Sequence, residues 1–171
     1  RERKYGDPTH YSAQDILVRS MNVGTTMLAE KMGKAAFLDY IYEFGFGEAT
    51  NIHLPGETKG LVRSLESITK IDNAVMSFGQ GISVTGLQMV AAVAAIGNDG
   101  LYIEPKIIKH QTDHNHLTLS NPSRFSQRRV ISKATAQKVR DAMEVVVQEG
   151  SGRYAKVSGY RVGGKTGTAQ K

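Results

Sequence analysis

Residues 159–171 read GYRVGGKTGTAQK, and the reading of this stretch decides the fold. Tyr160 and Val162 alternate with polar neighbours, and Gly163 and Gly164 lead into Lys165, Thr166 and Gly167. Period-two alternation running into small residues predicts an edge strand that another molecule approaches closely. A cation, a hydroxyl and a residue without a side chain then stand in a row, which suits a ligand bearing a carboxylate. The ammonium attracts it, the hydroxyl donates to it, and the glycine lets the ligand backbone lie against the chain. The same letters satisfy a phosphate-loop pattern, Gly159-x-x-x-x-Gly164-Lys165-Thr166. That pattern needs a buried strand before its first glycine and a helix starting at its lysine. Residues 153–158 are too polar for the strand, Gly167 and Thr168 are poor material for a first helical turn, and no apolar strand ends in an Asp suited to magnesium. A nucleotide hydrolase is therefore the rival reading, and the weaker one.

Moving outward, 171 residues with 40% hydrophobic content are enough for a single domain with a core. The chain opens with Arg1 in the charged run RERKYGD and stops on the expected strand, so it reads as a piece of a longer protein. Its longest apolar run, residues 89–96, is too short to span a bilayer, and no signal peptide is present. The lack of cysteine excludes disulfides and thiolate chemistry. A formal charge of +6 raises the question of nucleic acid. The Lys and Arg residues are scattered, however, with only Arg128-Arg129 and the N-terminal run dense, and they are not interleaved with aromatics as a stacking platform requires. Nucleic acid is not an expected partner; a mildly basic surface suits a carboxylate substrate or an anionic polymer.

Ser12 with Asp15 forms a capping-box pattern and predicts a helix over 13–19, after a polar lead-in with a turn at Asp7-Pro8. A second helix over 23–32 sets Val23, Met27 and Leu28 on one side and ends at Gly33. A third over 34–44 sets Phe37, Leu38, Ile41 and Phe44 at core spacing. Residues 45–60 read as loop with one short extended piece, and 61–84 give no clear pattern except a tight turn at Phe78-Gly79-Gln80-Gly81. Thr85 with Gln88 opens a helix over 86–96 that is apolar on nearly every side, and hence is expected to be the most buried. Asn98-Asp99-Gly100 ends it. Residues 101–110 have strand character and 111–129 read as polar connection. From Ser132 to about Glu149 a long helix carries Val139, Ala142, Met143 and Val146 at i, i+3, i+4 and i+7, and Gly150-Ser151-Gly152 breaks it.

Other candidate sites compete with ordinary structural roles. Ser20-Met21-Asn22 reads by itself as a helix-end serine and a helix-capping asparagine. Ser67-Ile68-Thr69-Lys70 spells S-x-x-K, a serine nucleophile one turn before a lysine base, but a match with two free positions arises readily by chance. His110, His114 and His116 gather around Asp113; a polar hairpin with exposed histidines is favoured over a metal site, because no further ligand is spaced to complete one.

Taken together, an S-x-N triplet between two helices, a GQG element before a buried helix and a K-T-G triplet near the end resemble the penicillin-binding protein transpeptidases, a family whose motif set is S-x-x-K, S-x-N and K-T-G. The likeness is to the class B, cell-division type and covers nearly the whole chain. It is carried by SMNVGTTMLAEKMG (20–33), FGFGEATNIHLPGE (44–57), SFGQGISVTGLQMV (77–90) and EGSGRYAKVSGYRVGGKTGTAQK (149–171).

The resemblance implies an α/β fold of the α+β type, an antiparallel sheet packed by helices plus a helical subdomain, incomplete in this chain. Residues 1–171 would form part of one transpeptidase domain. It also implies a serine enzyme that cross-links peptidoglycan stem peptides at D-Ala-D-Ala through an acyl-enzyme, that β-lactams inhibit, and that needs no cofactor. By motif, Ser20 would relay protons, Asn22 would bond the substrate backbone, and Lys165 would polarise Ser20 and hold positive potential. Thr166 would bind the terminal carboxylate, Gly167 would leave room for it, and the Thr168 N–H would supply half of an oxyanion hole. The nucleophile's S-x-x-K should lie upstream of S-x-N, yet no such motif occurs in residues 1–19, and Ser67 to Lys70 falls on the wrong side in chain order. The chain is accordingly expected to be a fragment, inactive in isolation, whose partners include the rest of its domain and cell-division membrane proteins. A single-pass anchor upstream would hold the catalytic domain on the extracytoplasmic side of the cell membrane. The alternative from another class is a non-catalytic binding or scaffold module of the same fold.

Overall fold

The computed structural model describes residues 10–120 and 126–168; the lead-in with Asp7-Pro8 and the final Ala169, Gln170 and Lys171 lie outside them. Six α-helices are assigned among the described residues: α1 (Ala13–Arg19), α2 (Asn22–Met32), α3 (Lys34–Glu43), α4 (Lys70–Met76), α5 (Gly86–Gly97) and α6 (Lys133–Gln148). Between α5 and α6 the described residues form four short strands: β1 (Leu101–Ile103), β2 (Gln111–Thr112), β3 (Thr118–Ser120) and β4 (Gln127–Arg129). β1 pairs antiparallel with β4 and β2 antiparallel with β3, making two separate two-stranded sheets.

The helix starts follow their caps. Ser12 and Asp15 form the reciprocal box expected for α1, and Thr85 and Gln88 form that of α5. A third box, Thr69 with Asp72, opens α4 inside the segment that the sequence left unread. That segment lacks apolar periodicity because α4 is only seven residues long, too short to display a repeat. The S-x-x-K letters at 67–70 straddle this helix start. Ser67 donates to the carbonyl of its own turn, Ser64 O, at 3.0 Å, which is a structural use of the serine.

Among the described residues two hydrophobic clusters pack the helices together. In one, Ala91 and Ala95 of α5 meet Tyr102 of β1 and Val130, with Phe44 and Ile131 against them. In the other, Leu38 of α3 meets Ile68 and Met76, flanked by Phe37, Ile41, Tyr42, Val62 and Ile82. The third helix thus buries the face its spacing predicted. The basic doublet at 128–129 is also structural: the Arg128 guanidinium sits 4.2 Å from the centroid of its cross-strand partner Tyr102 and donates to Glu43 O at 2.9 Å. Arg129 donates to Asp99 O at 2.9 Å.

Several expectations are corrected. On the second helix the apolar side with Val23, Met27 and Leu28 is not the buried one, these residues being 54%, 64% and 43% exposed; its buried positions are the small Gly24 and Ala29. On α5 the buried stripe is alanine while Met89, Val90 and Val93 face outward, so all-round apolarity did not mean all-round burial. Strand structure in 101–110 stops at Ile103, and 111–129 is not plain connection but contains β2, β3 and β4. These strands escape a pattern search because two or three residues cannot establish alternation. The histidine cluster lies on the β2–β3 hairpin, where Asp113 Oδ1 accepts from the backbone N–H groups of Asn115 and Leu117 at 2.9 and 2.8 Å. Among the described residues no group of three or more His, Cys, Asp or Glu side chains is placed to hold a metal. No helix among the described residues is long and apolar enough to cross a membrane.

Residues 159–168 form no strand, contrary to the edge strand expected. Strand identity depends on a neighbouring ladder, and among the described residues none lies beside this stretch. It is laid along α6 instead, by the Gly164 N–H donating to Met143 O at 3.1 Å and by Arg161 Nε donating to both carboxylate oxygens of Glu144 at 3.0 Å.

Gln88 anchors the loop side of the fold. It is fully buried, its Oε1 accepts from Thr85 N at 2.8 Å, and its Nε2 donates to Glu48 O at 2.8 Å and Lys59 O at 3.0 Å. It therefore ties both ends of a long glycine-rich loop to the start of α5. Gln88→Leu would leave the part-buried Glu48 and Lys59 carbonyls and the Thr85 N–H without this partner, each costing about 1–3 kcal/mol. The expected loss is roughly 3 kcal/mol or more, read as a lowered midpoint in urea unfolding.

Candidate active site

The site begins at the corner between α1 and α2. Ser20 is the C-cap of α1 and adopts a left-handed backbone, φ 55° and ψ 52°, a region that costs a residue with a Cβ about 1–2 kcal/mol. The conformation ends α1 and lets α2 begin two residues later at Asn22. Gly24 permits the tight corner: a Cβ there would lie 2.7 Å from the Ile16 side chain. The S-x-N triplet thus straddles a helix–helix junction, as its sequence setting suggested. Both Ser20 and Asn22 are exposed.

The second wall is brought to that corner by the end of α6. At Gly150 a Cβ would lie 2.6 Å from Val18 O and 2.9 Å from Val146 O. Only a glycine lets the last turn of α6 rest against α1, one turn from Ser20. From there the chain passes through a 3-10 turn (Arg153–Ala155) and returns along α6, which carries Lys165 back to Ser20 across 145 residues of sequence.

Lys165 Nζ donates to Ser20 Oγ at 2.8 Å, to Thr166 O at 2.9 Å and to Thr166 Oγ1 at 3.2 Å. An ammonium has three protons, and each has an acceptor here. Burial around the ammonium pushes the Lys165 pKa below the usual lysine value. Ser20 accepts from Lys165, so its own proton remains free for a third party. Thr166, Gly167 and Thr168 are exposed beside it. The phosphate-loop alternative fails on geometry: Lys165 opens no helix and no strand precedes it.

Two contacts were not anticipated. Gln80, in the glycine-flanked turn before α5, donates from Nε2 to Thr168 O at 3.3 Å. The Ser151 hydroxyl lies 2.9 Å from Thr166 Oγ1. The GQG turn was visible in the sequence, but the partner of its glutamine lies 88 residues away. Ser151 looked like a helix breaker, and no local signal marks it otherwise.

A profile of the penicillin binding protein transpeptidase domain matches residues 2–171. The chain is 45% identical over 158 residues to stage V sporulation protein D of Bacillus subtilis, covering 92% of this chain and 24% of that protein. It is 34% identical to the peptidoglycan D,D-transpeptidase FtsI of Buchnera aphidicola over 157 residues, 91% of this chain and 26% of that one. The chain therefore spans about a quarter of the length of these curated relatives. Its structure superposes on penicillin-binding protein 3 of Mycobacterium tuberculosis, solved with aztreonam, with a TM-score of 0.89 at 38% identity, covering 94% of this chain and 37% of that one. A helix corner and a lysine-bearing return segment that meet at Ser20, on a fold shared with these proteins, place the chain in the transpeptidase-domain family of the class B penicillin-binding proteins.

Proposed function

We propose that this chain supplies the S-x-N corner and the K-T-G wall of a D,D-transpeptidase that joins peptidoglycan stem peptides. The single observation that carries the reading is the 2.8 Å hydrogen bond from Lys165 Nζ to Ser20 Oγ. In the reaction, a serine hydroxyl contributed by a segment outside residues 1–171 attacks the carbonyl of the D-Ala-D-Ala bond. The C–N bond breaks and the terminal D-Ala leaves as an amine that takes up the proton given by the attacking hydroxyl; a second stem's amine then attacks the ester, forming the cross-linking amide and returning its proton to the released serine. Ser20 passes the proton to the leaving amine, replenished from the lysine side. Asn22, with an exposed amide at the start of α2, bonds the peptide backbone of the substrate. Lys165 and Thr166 receive the terminal carboxylate, Gly167 leaves the space for it, and the Thr168 N–H stabilises the oxyanion, a contribution of about 2.7–4 kcal/mol per donor in such sites.

A β-lactam carries the same carboxylate beside a reactive amide, so it acylates the same serine. The fragment alone lacks the nucleophile and should not be labelled. The complete protein is read as anchored by an upstream membrane segment with this domain on the extracytoplasmic side, working with other membrane proteins of cell division. Cross-linking in whole cells between an introduced photoreactive residue and its neighbours would identify those partners.

The test uses the complete domain. It should be labelled covalently by a fluorescent penicillin, and Thr166→Val should slow labelling by roughly 10–100-fold, the loss of a charge-assisted hydrogen bond worth about 1.5–3 kcal/mol. No labelling of the complete domain would instead favour a scaffold module, and an unchanged rate for Thr166→Val would remove Thr166 from the carboxylate site.

A further inference from the structure

Ser151 sits in the turn that follows α6, between Gly150 and Gly152. Close packing of Gly150 on Val18 O and Val146 O holds that turn, and Gly152 N donates to Val146 O at 3.1 Å. Its hydroxyl is therefore borne by the same packed junction that brings α6 to α1, not by a free loop. Its partner is Thr166 Oγ1, 2.9 Å away, the atom to which Lys165 Nζ also donates at 3.2 Å.

The hydrogen-bond inventory gives this contact a consequence. A hydroxyl offers one proton and two acceptor sites, and an ammonium only donates. Lys165 occupies one acceptor site of Thr166. In the free site either hydroxyl can be the donor between Ser151 and Thr166. Once a carboxylate takes the Thr166 proton, the only direction left is from Ser151 to Thr166. Both acceptor sites of Thr166 are then filled, and its single proton is directed to the ligand.

We propose that Ser151 is a positioning residue of the carboxylate site, donating to Thr166 Oγ1 so that the Thr166 hydroxyl is held as a donor to the incoming carboxylate. The inference rests on the reading of Thr166 as the carboxylate ligand. Ser151 does not touch the substrate; it acts through Thr166, and removing it leaves the threonine hydroxyl free to rotate and one of its acceptor sites empty.

The experiment measures acylation rate constants for a fluorescent penicillin on the complete domain, comparing Ser151→Ala, Ser151→Thr, Thr166→Val and the Ser151→Ala/Thr166→Val double variant, with thermal midpoints alongside. Ser151→Ala should slow acylation by about 3–10-fold, the range for one neutral hydrogen bond. Its midpoint should be unchanged, and Ser151→Thr should restore the rate. In the Thr166→Val background Ser151→Ala should have no further effect, because the pair acts as a unit. If Ser151→Ala slows both backgrounds equally, or slows neither while Thr166→Val alone is slow, the role of Ser151 is wrong and the carboxylate site stands. If Thr166→Val keeps the full rate, the carboxylate reading falls and the Ser151 proposal falls with it.

Discussion

Replacing Ser20 by alanine in the complete domain is expected to slow β-lactam acylation by roughly 10²–10⁴-fold, the range lost when a positioned proton-transfer group is removed. The reason lies in the donor count at the corner. Lys165 Nζ donates to Ser20 Oγ, so the serine proton is not used by the lysine, and the hydroxyl can give that proton while accepting another. Alanine keeps the Cβ and the left-handed backbone but removes this exchange. A stability comparison separates chemistry from strain. At φ 55° a Cβ is penalised by about 1–2 kcal/mol, partly offset by the greater unfolded-state freedom of glycine. Ser20→Gly should therefore unfold about 1 kcal/mol later than Ser20→Ala while being just as slow. Stopped-flow acylation and urea melts on both variants check the two halves. A Ser20→Ala domain that acylates at the normal rate would remove the serine from the proton path.

The second large effect belongs to Lys165. Lys165→Met removes a charged hydrogen bond to Ser20, worth about 1.5–3 kcal/mol, together with the positive charge that draws the carboxylate. The expected loss in acylation rate is roughly 10²-fold or more. The pH profile is more specific. Burial holds the Lys165 pKa below the ordinary lysine value of 10.5, so the ammonium is lost at a lower pH than for a free lysine. Carboxylate capture should then fall as pH rises through that lowered pKa, giving a basic limb. Lys165→Arg keeps its charge throughout this range. It should act more slowly, because a planar fork cannot serve the three acceptors that the ammonium reaches, but its basic limb should move to higher pH or vanish. If the limb stays in place in Lys165→Arg, another group causes it.

Neither substitution concerns the bulk of the fold, and the contrast with Gln88 is instructive. Gln88 is buried with every polar atom engaged, so its loss should appear in stability. Ser20 and Lys165 lie at the surface, with the ammonium partly covered, and bond each other directly, so their loss should appear in rate. The fold tolerates the strained Ser20 backbone because α1 is held on both sides of it, by Ile16 packing on Gly24 of α2 and by α1 packing on α6.

The sequence by itself determined whatever local chemistry decides. The capping boxes at Ser12 and Thr85, the amphipathic run that became α6 and the glycine-flanked turn at Gln80 all act within four residues, so their letters suffice. The S-x-N triplet also sits where the letters put it, with Ser20 at a helix end, whereas the K-T-G triplet does not lie on the strand its letters predicted. What the tertiary structure alone decided is everything that depends on a distant neighbour. Whether residues 159–168 form a strand depends on a ladder partner, and along α6 they have none among the described residues. Which face of α2 and α5 is buried depends on what packs there, and it proved to be the small residues, since close helix approach favours glycine and alanine over Met and Val. The pairing of Lys165 with Ser20, and of Ser151 with Thr166, depends on the α6 turn closing onto α1 through Gly150, a contact between segments more than a hundred residues apart that no local pattern encodes.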